Sequence, residues 1–150
     1  MTDPATIVAA TGTGLTAGVY VAFSVLVMPA FAAAPPAPAL AAMQRINELA
    51  QRPVFGLAFA AAAAGSGWVL AAQWLPGGDR QPWPTVGAAL SLAAFGVTAV
   101  VNVPRNRRLA GLDPNGETDL ATWVAVSVQW RRGNDLRAGC ATLGLLAFLM

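Results

Sequence analysis

The 150-residue chain has no lysine, no histidine and a single cysteine, and only 11% of its residues are charged. Each shortage removes a class of chemistry. A charged fraction under half the roughly 25% of soluble domains argues against a water-facing surface. With no histidine and only Cys140, zinc fingers, histidine-held haem, facial-triad iron and an intrachain disulfide are all excluded. A carboxylate-only metal site would need carboxylates gathered in one place, and the seven acids are spread along the chain. No metal and no cofactor is expected. The nine positive charges, all arginines, come in small separated groups, so neither the net charge of +2 nor the pI near 9.5 marks a nucleic-acid surface.

What the chain has in quantity is apolar residue: 56% hydrophobic, 33 alanines and a mean hydropathy of +0.56. The length suits one domain. The reading is an all-α integral membrane protein of the cell membrane, a single domain over 1–150 with membrane lipids as its surroundings. The sequence does not specify an oligomer.

Charge gaps set the spans. The 41 uncharged residues between Asp3 and Arg45 would reach about 60 Å as one helix, twice the roughly 30 Å hydrocarbon layer. Ala34-Pro35-Pro36-Ala37-Pro38 must break that run, since proline lacks the ladder N–H and forces its predecessor out of the helical region. A first transmembrane helix is therefore expected over about 5–33. Its acidic flank and its length are unlike a cleaved signal segment, so it is expected to be retained. Over 39–51, Leu40, Met43, Ile46 and Leu49 recur every three residues among polar ones, the pattern of a short interfacial amphipathic helix.

Further spans are expected over about 53–75, ended by Pro76-Gly77-Gly78, and over 84–104, entered at Pro82-Trp83-Pro84. The connection 105–119 reads as a solvated loop with a turn at Asp113-Pro114-Asn115-Gly116, where Gly116 is available for a positive φ. Leu120 to Met150 reads as helix. Either its span is 134–150, with the first part an extension, or Arg137 enters the bundle. Together these make four transmembrane helices and an interfacial helix. Arginine counts put connections 34–52 and 105–119, with Arg45, Arg52, Arg105, Arg107 and Arg108, on the cytoplasmic side, against Arg80 alone in the second connection, so both termini lie outside.

Helix contacts in lipid favour small residues. Gly14 and Gly18, then Gly56, Ala60 and Ala64, then Gly87 and Ser91, repeat every four residues and are expected to face neighbouring helices.

Polar residues that carry chemistry are few. Trp123, Ser127, Trp130, Asn134, Arg137, Ala141, Gly144 and Phe148 follow steps of four and three, which puts them on one helical stripe. Arg131 and Asp135 lie elsewhere and can pair at i, i+4. An arginine at mid-bilayer costs on the order of 2.5–3.5 kcal/mol and usually has partners and a task. Arg137 either snorkels to the headgroups or joins Asn134 and Trp130 in a polar pocket open to the cytoplasmic side, where its guanidinium is a fixed fork for an anion or developing oxyanion. Asn102-Val103-Pro104-Arg105-Asn106 sets two carboxamides one turn apart around a proline that frees the Val100 carbonyl. Asn102 is either a C-terminal cap or a ligand or inter-helix contact. Pro29 likewise frees the Val25 carbonyl, with Ser24 beside it, and reads as a kink.

Phe23-Ser24 with Pro29, Met43-Gln44 with Asn47, Asn102-x-Pro-x-Asn106, and Trp130-x-x-x-Asn134-x-x-Arg137 stand in an order that resembles a family of small four-helix membrane proteins that includes the anthrone oxygenases. The resemblance runs from about Gly18 to Leu146. It implies a four-helix membrane bundle and, for the characterised branch, oxygenation of an anthrone to an anthraquinone without metal or flavin. An acidic C–H beside a ketone gives an electron-rich enolate that meets O₂ directly, and the protein need only bind, deprotonate and stabilise charge. On this resemblance Arg137, Asn134 and Asn106 hold the enolate oxygen, and Trp130 and Trp123 flank a flat aromatic ligand. With no histidine for the base, Asp135 and Glu48 are the carboxylates to be placed.

Two functions follow from the sequence. The first is an anthrone-oxygenase-like protein binding an aromatic or quinone-like molecule, with cofactor-free oxidation. The second is a non-enzymatic membrane protein, either a binder of lipid or hydrophobic ligand or a subunit of a complex. A transporter would need an internal repeat and paired intramembrane carboxylates, which the chain lacks.

Overall fold

A computed structural model describes residues 3–75 and 81–150. The expected stop at Pro76-Gly77-Gly78 and the lone loop arginine Arg80 lie outside the described residues. Among the described residues all regular structure is helical, with no strand.

Helix α1 runs Pro4–Ala33. Asp3 caps it, its carboxylate accepting from the Thr6 N–H at 3.4 Å, and Pro4 sits in the first turn where no N–H is needed. At Phe23–Val27 the helix widens into a π turn, and the Met28 N–H reaches the Phe23 carbonyl just before Pro29. The wider turn absorbs the bond and the space that proline denies a regular helix. Ala34 turns extended ahead of Pro35 and ends α1.

Helix α2, Pro36–Ala50, begins three residues before the sequence pattern does, because Pro36 and Pro38 fall in the first turn, whose N–H groups have no helical partner anyway. Helix α3 covers Pro53–Ala72.

Helix α4 runs Pro82–Ala110 without interruption. The sequence pattern predicts a stop at Pro104 with a loop after it, whereas the helix continues six residues further, to Ala110. A second π turn at Thr98–Asn102 precedes Pro104 as the first precedes Pro29, with the Val103 N–H reaching the Thr98 carbonyl. In each case proline stands six residues after the turn begins, and the helix continues through it.

Helix α5, Glu117–Phe148, starts with Glu117 and Asp119 at its positive end. The turn before it forms at Asp113, whose carboxylate accepts from the Asn115 N–H at 2.9 Å. Gly116 has φ −92°, so its freedom for positive φ is not used.

Helix α1 packs on α3 and α5, and α4 packs on α5 and α3. At 1.5 Å per residue, α1, α4 and α5 are roughly 45 Å long and α3 roughly 30 Å. Where the long helices run past α3, α2 covers them. Its Ala39, Leu40 and Met43 join Met28, Leu109, Trp123, Val126 and Trp130 in one core. Gln44 fastens it, donating to the Leu109 and Leu112 carbonyls, both at 2.8 Å, at the C-terminal end of α4 and just beyond it.

The close helix contacts differ in part from those expected: Gly14 faces the Leu145 side chain of α5, where a Cβ would stand at 3.4 Å, but Gly18 has no neighbour within 4 Å. Gly12, not Gly14 or Gly18, meets the Ala58 and Ala62 backbone of α3, and Gly65 meets Ala9. Gly56, Ala60 and Ala64 are exposed. Gly87 and Ser91 do face a neighbour, at Gly144 of α5. So much alanine offers several small-residue rows on each helix, and only shape complementarity selects one.

Helices α1, α3 and α4 are long and apolar enough to cross a membrane. Leu15, Val25, Leu57, Val100, Leu136 and Leu143 point outward, leaving apolar surface that suits lipid and not water.

Candidate functional site

Asn134 is the hub of a polar cluster between α1, α4 and α5, and it is 0% exposed. Its Nδ2 donates to the Tyr20 carbonyl and to Ser24 Oγ, both at 2.8 Å. Its Oδ1 accepts from Arg137 twice, from Nη2 at 2.9 Å and Nε at 3.1 Å. Arg137 Nη1 donates to Thr98 Oγ1 at 3.2 Å. The guanidinium carbon stands 4.1 Å from the centre of the Tyr20 ring and 5.2 Å from that of Trp130, so two aromatic faces hold the cation.

Arg137 is 8% exposed and points into the protein. It does not snorkel. Nor does it have a carboxylate partner: among the described residues the one ion pair joins Arg45 to Glu48 at 2.6 Å on the surface. Its hydrogen bonds go to a neutral amide and a hydroxyl, so its charge is solvated but not cancelled.

The α5 stripe turns inward as its spacing implies. Trp123, Trp130, Asn134, Arg137, Ala141, Gly144 and Phe148 are buried and Ser127 is half-buried. Trp130 Nε1 donates to Asn106 Oδ1 at 2.6 Å, and Phe23 packs on its ring at 5.4 Å. Asn102 is no helix cap, because α4 continues past it; buried in the second π turn, it donates to the Trp130 carbonyl at 3.2 Å and leaves its Oδ1 without a partner. The neighbouring Arg105 takes the Val101 carbonyl at 2.6 Å. Trp123 belongs to the α2 side of the molecule, edge-on to Phe31 at 6.2 Å.

Asp135 does not pair with Arg131. It accepts from Ser24 Oγ at 2.6 Å, which links it through Ser24 and Asn134 to Arg137.

Three members of the cluster escape sequence reasoning. Tyr20 is the only tyrosine of the chain, set mid-way along an apolar helix, and that singularity was its signal. Thr98 lies four residues before Asn102, on the same face of α4. Gly133 is small because Val101 and, behind it, Asn102 occupy the space: a Cβ there would stand 2.5 Å from Val101 Cγ1 and 3.1 Å from Asn102 Oδ1.

The space around Arg137 is closed by these side chains and is not an open pocket. A void of about 10 Å³ lies beside Tyr20, lined by Thr16, Phe59, Ser91, Ala94 and Ala141, with room for about one water. A groove of about 530 Å³, open to the outside, runs between α1 and α2 along Leu26, Val27, Ala30, Phe31, Arg45 and Ile46. Its apolar walls are of a size that suits a small molecule. Among the described residues no three His, Cys, Asp or Glu side chains gather as metal ligands.

The anthrone oxygenase family model matches residues 43–147, more than half of the chain. The chain belongs to that family. The matched segment carries Asn102, Asn106, Trp123, Trp130, Asn134, Asp135 and Arg137, while Tyr20 and Ser24 come from α1 outside it. No curated protein and no solved structure matches the chain.

Proposed function

We propose that this protein is an anthrone-oxygenase-like enzyme of the cell membrane that binds a flat aromatic or quinone-like molecule and oxidises it without a cofactor. The observation that carries the reading is the Arg137 guanidinium, buried inside the protein with neutral acceptors and aromatic faces but no counter-charge. A buried cation of this kind is costly to keep and attracts an oxyanion. An enolate oxygen would take the fork now held by Asn134 Oδ1, with Asn106 bonded to the adjoining Trp130.

The chemistry balances without metal or flavin. The substrate C–H loses its proton and the electron pair delocalises onto the ketone oxygen, where Arg137 stabilises it. The electron-rich carbon then bonds O₂, and protonation gives a hydroperoxide on a carbon that still bears one hydrogen. Loss of water from that carbon leaves the new carbonyl. One atom of O₂ stays in the product and the other leaves as water.

In this reading the chain has four transmembrane helices, the fourth over 134–150, and α2 lies at the interface. Connections 34–52 and 105–119 face the cytoplasm and both termini lie outside. Substrate dissolved in lipid enters along the α1–α2 groove, whose Phe31 touches Trp123 and whose α1 wall continues to Phe23 on Trp130.

A second reading is favoured by the closed interior: Arg137 ties α1, α4 and α5 together and the protein is non-enzymatic, a lipid or ligand binder or a subunit of a complex. Oxygen uptake by the purified, detergent-solubilised protein with an anthrone separates the two. The enzyme reading expects uptake above a protein-free control, lost in Arg137→Ala and strongly reduced in Asn134→Ala. Uptake equal to autoxidation for several aromatic C–H acids leaves the structural reading.

A further inference from the structure

Oxygenation of a ketone-activated C–H begins with removal of a proton, and no histidine is present to take it. The carboxylates differ sharply in placement. Glu48 is exposed and paired with Arg45. Asp3 caps α1, and Asp113 and Asp119 hold the turn before α5, where Glu117 begins the helix. Among the described carboxylates, Asp135 alone is joined to the polar cluster, by the 2.6 Å bond from Ser24 Oγ.

That bond is unusual for this chain. Hydroxyls on its helices mostly donate to a carbonyl one turn back: Thr16 to Gly12, Thr98 to Ala94, Thr122 to Thr118. Ser24 has the same opportunity at the Tyr20 carbonyl, four residues earlier, but Asn134 Nδ2 occupies that carbonyl and also donates to Ser24 Oγ. The serine proton is thereby directed to a carboxylate. A hydroxyl oxygen has two acceptor positions, and the amide of Asn134 takes one. Ser24 is half-buried and Asp135 exposed, so the pair runs from the cluster to the surface.

Resting on the oxygenase reading, we propose that Ser24 and Asp135 form its proton-accepting relay. Ser24 Oγ takes the proton from the substrate carbon as its own proton passes to the Asp135 carboxylate, which becomes a carboxylic acid. The C–H electron pair moves onto the substrate oxygen held by Arg137. Asp135, in the first turn of the proposed span 134–150, then loses its proton at the membrane–water boundary. Negative charge thus leaves the carboxylate as it appears beside the guanidinium, with the Asn134 amide bridging the two ends.

Exchange of the acidic C–H of anthrone for deuterium, under anaerobic conditions, reads this step apart from the reaction with O₂. Wild type is expected to accelerate exchange over buffer. Asp135→Asn keeps an acceptor for Ser24 and is expected to fold with an unchanged thermal midpoint, to bind anthrone with unchanged affinity, and to exchange on the order of 10²-fold more slowly. Ser24→Ala should slow exchange similarly. Acetate should restore exchange to Asp135→Ala beyond what acetate does without protein, because the exposed position stands at the very start of the proposed span 134–150, at the membrane–water boundary. Active wild type with Asp135→Asn exchanging at the wild-type rate overturns the relay and leaves the oxygenase reading intact. Wild type inert in both exchange and oxygen uptake overturns the oxygenase reading and the relay with it.

Discussion

At the scale of single residues the molecule turns on Asn134. It accepts from Arg137, donates to α1 at two points and shares its turn of α5 with Asp135, and removing it leaves Nε and Nη2 of the buried Arg137 without a partner. Asn134→Ala is expected to lower stability by about 1–3 kcal/mol for each group so exposed, seen as a lower thermal midpoint in detergent. Arg137→Lys tests geometry against charge. An ammonium keeps the positive charge but cannot fork onto Asn134 while reaching Thr98, and at least tenfold lower oxygenation is expected with the fold retained. Of this cluster the sequence displays the α5 half, since Trp130, Asn134 and Arg137 share a helical face by spacing alone. The α1 half is hidden: Tyr20 meets Asn134 across 114 positions of chain, and no local pattern encodes such a contact.

At the scale of elements, two helices pass through prolines by the same device. The π turns before Pro29 and Pro104 bring Ser24 on one helix and Thr98 and Asn102 on the other to the cluster. The starts of α1, α3 and α4 lie at prolines in the first turn, which mark them physically, whereas Pro36 and Pro38 read as a break and hid the start of α2. The passage of α4 through Pro104 was not legible, since a proline reads as a stop unless the turn before it widens. Small-residue contacts were similarly ambiguous, and they give a paired test. Gly12→Ala puts a methyl group against the Ala62 backbone and 2.9 Å from the Ala58 carbonyl, whereas at Gly18 nothing lies within 4 Å. Gly12→Ala is expected to cost about 1–3 kcal/mol as α1 and α3 are forced apart. Gly18→Ala should be neutral or raise the thermal midpoint, by up to about 1 kcal/mol of helix propensity.

At the scale of the whole molecule, the chain combines an apolar section of α1, α3, α4 and the end of α5 with a polar-edged section in which α2 covers the long helices. The Arg137 cluster lies where the two meet. If the arginine-rich end is cytoplasmic, a C-terminal alkaline phosphatase fusion is expected to be active and a C-terminal green fluorescent protein fusion dark; the opposite pattern would reverse the topology. The central claim, that the interior guanidinium holds the oxyanion of an aromatic ligand, is tested most directly by the ionisation of a bound hydroxyanthraquinone, which is inert to O₂ and changes colour on losing its proton. A positive neighbour favours the anion, so wild type is expected to move that colour change to lower pH than in detergent alone, and Arg137→Gln to abolish the shift. A colour change at the same pH with wild type, Arg137→Gln and protein-free detergent would contradict the account.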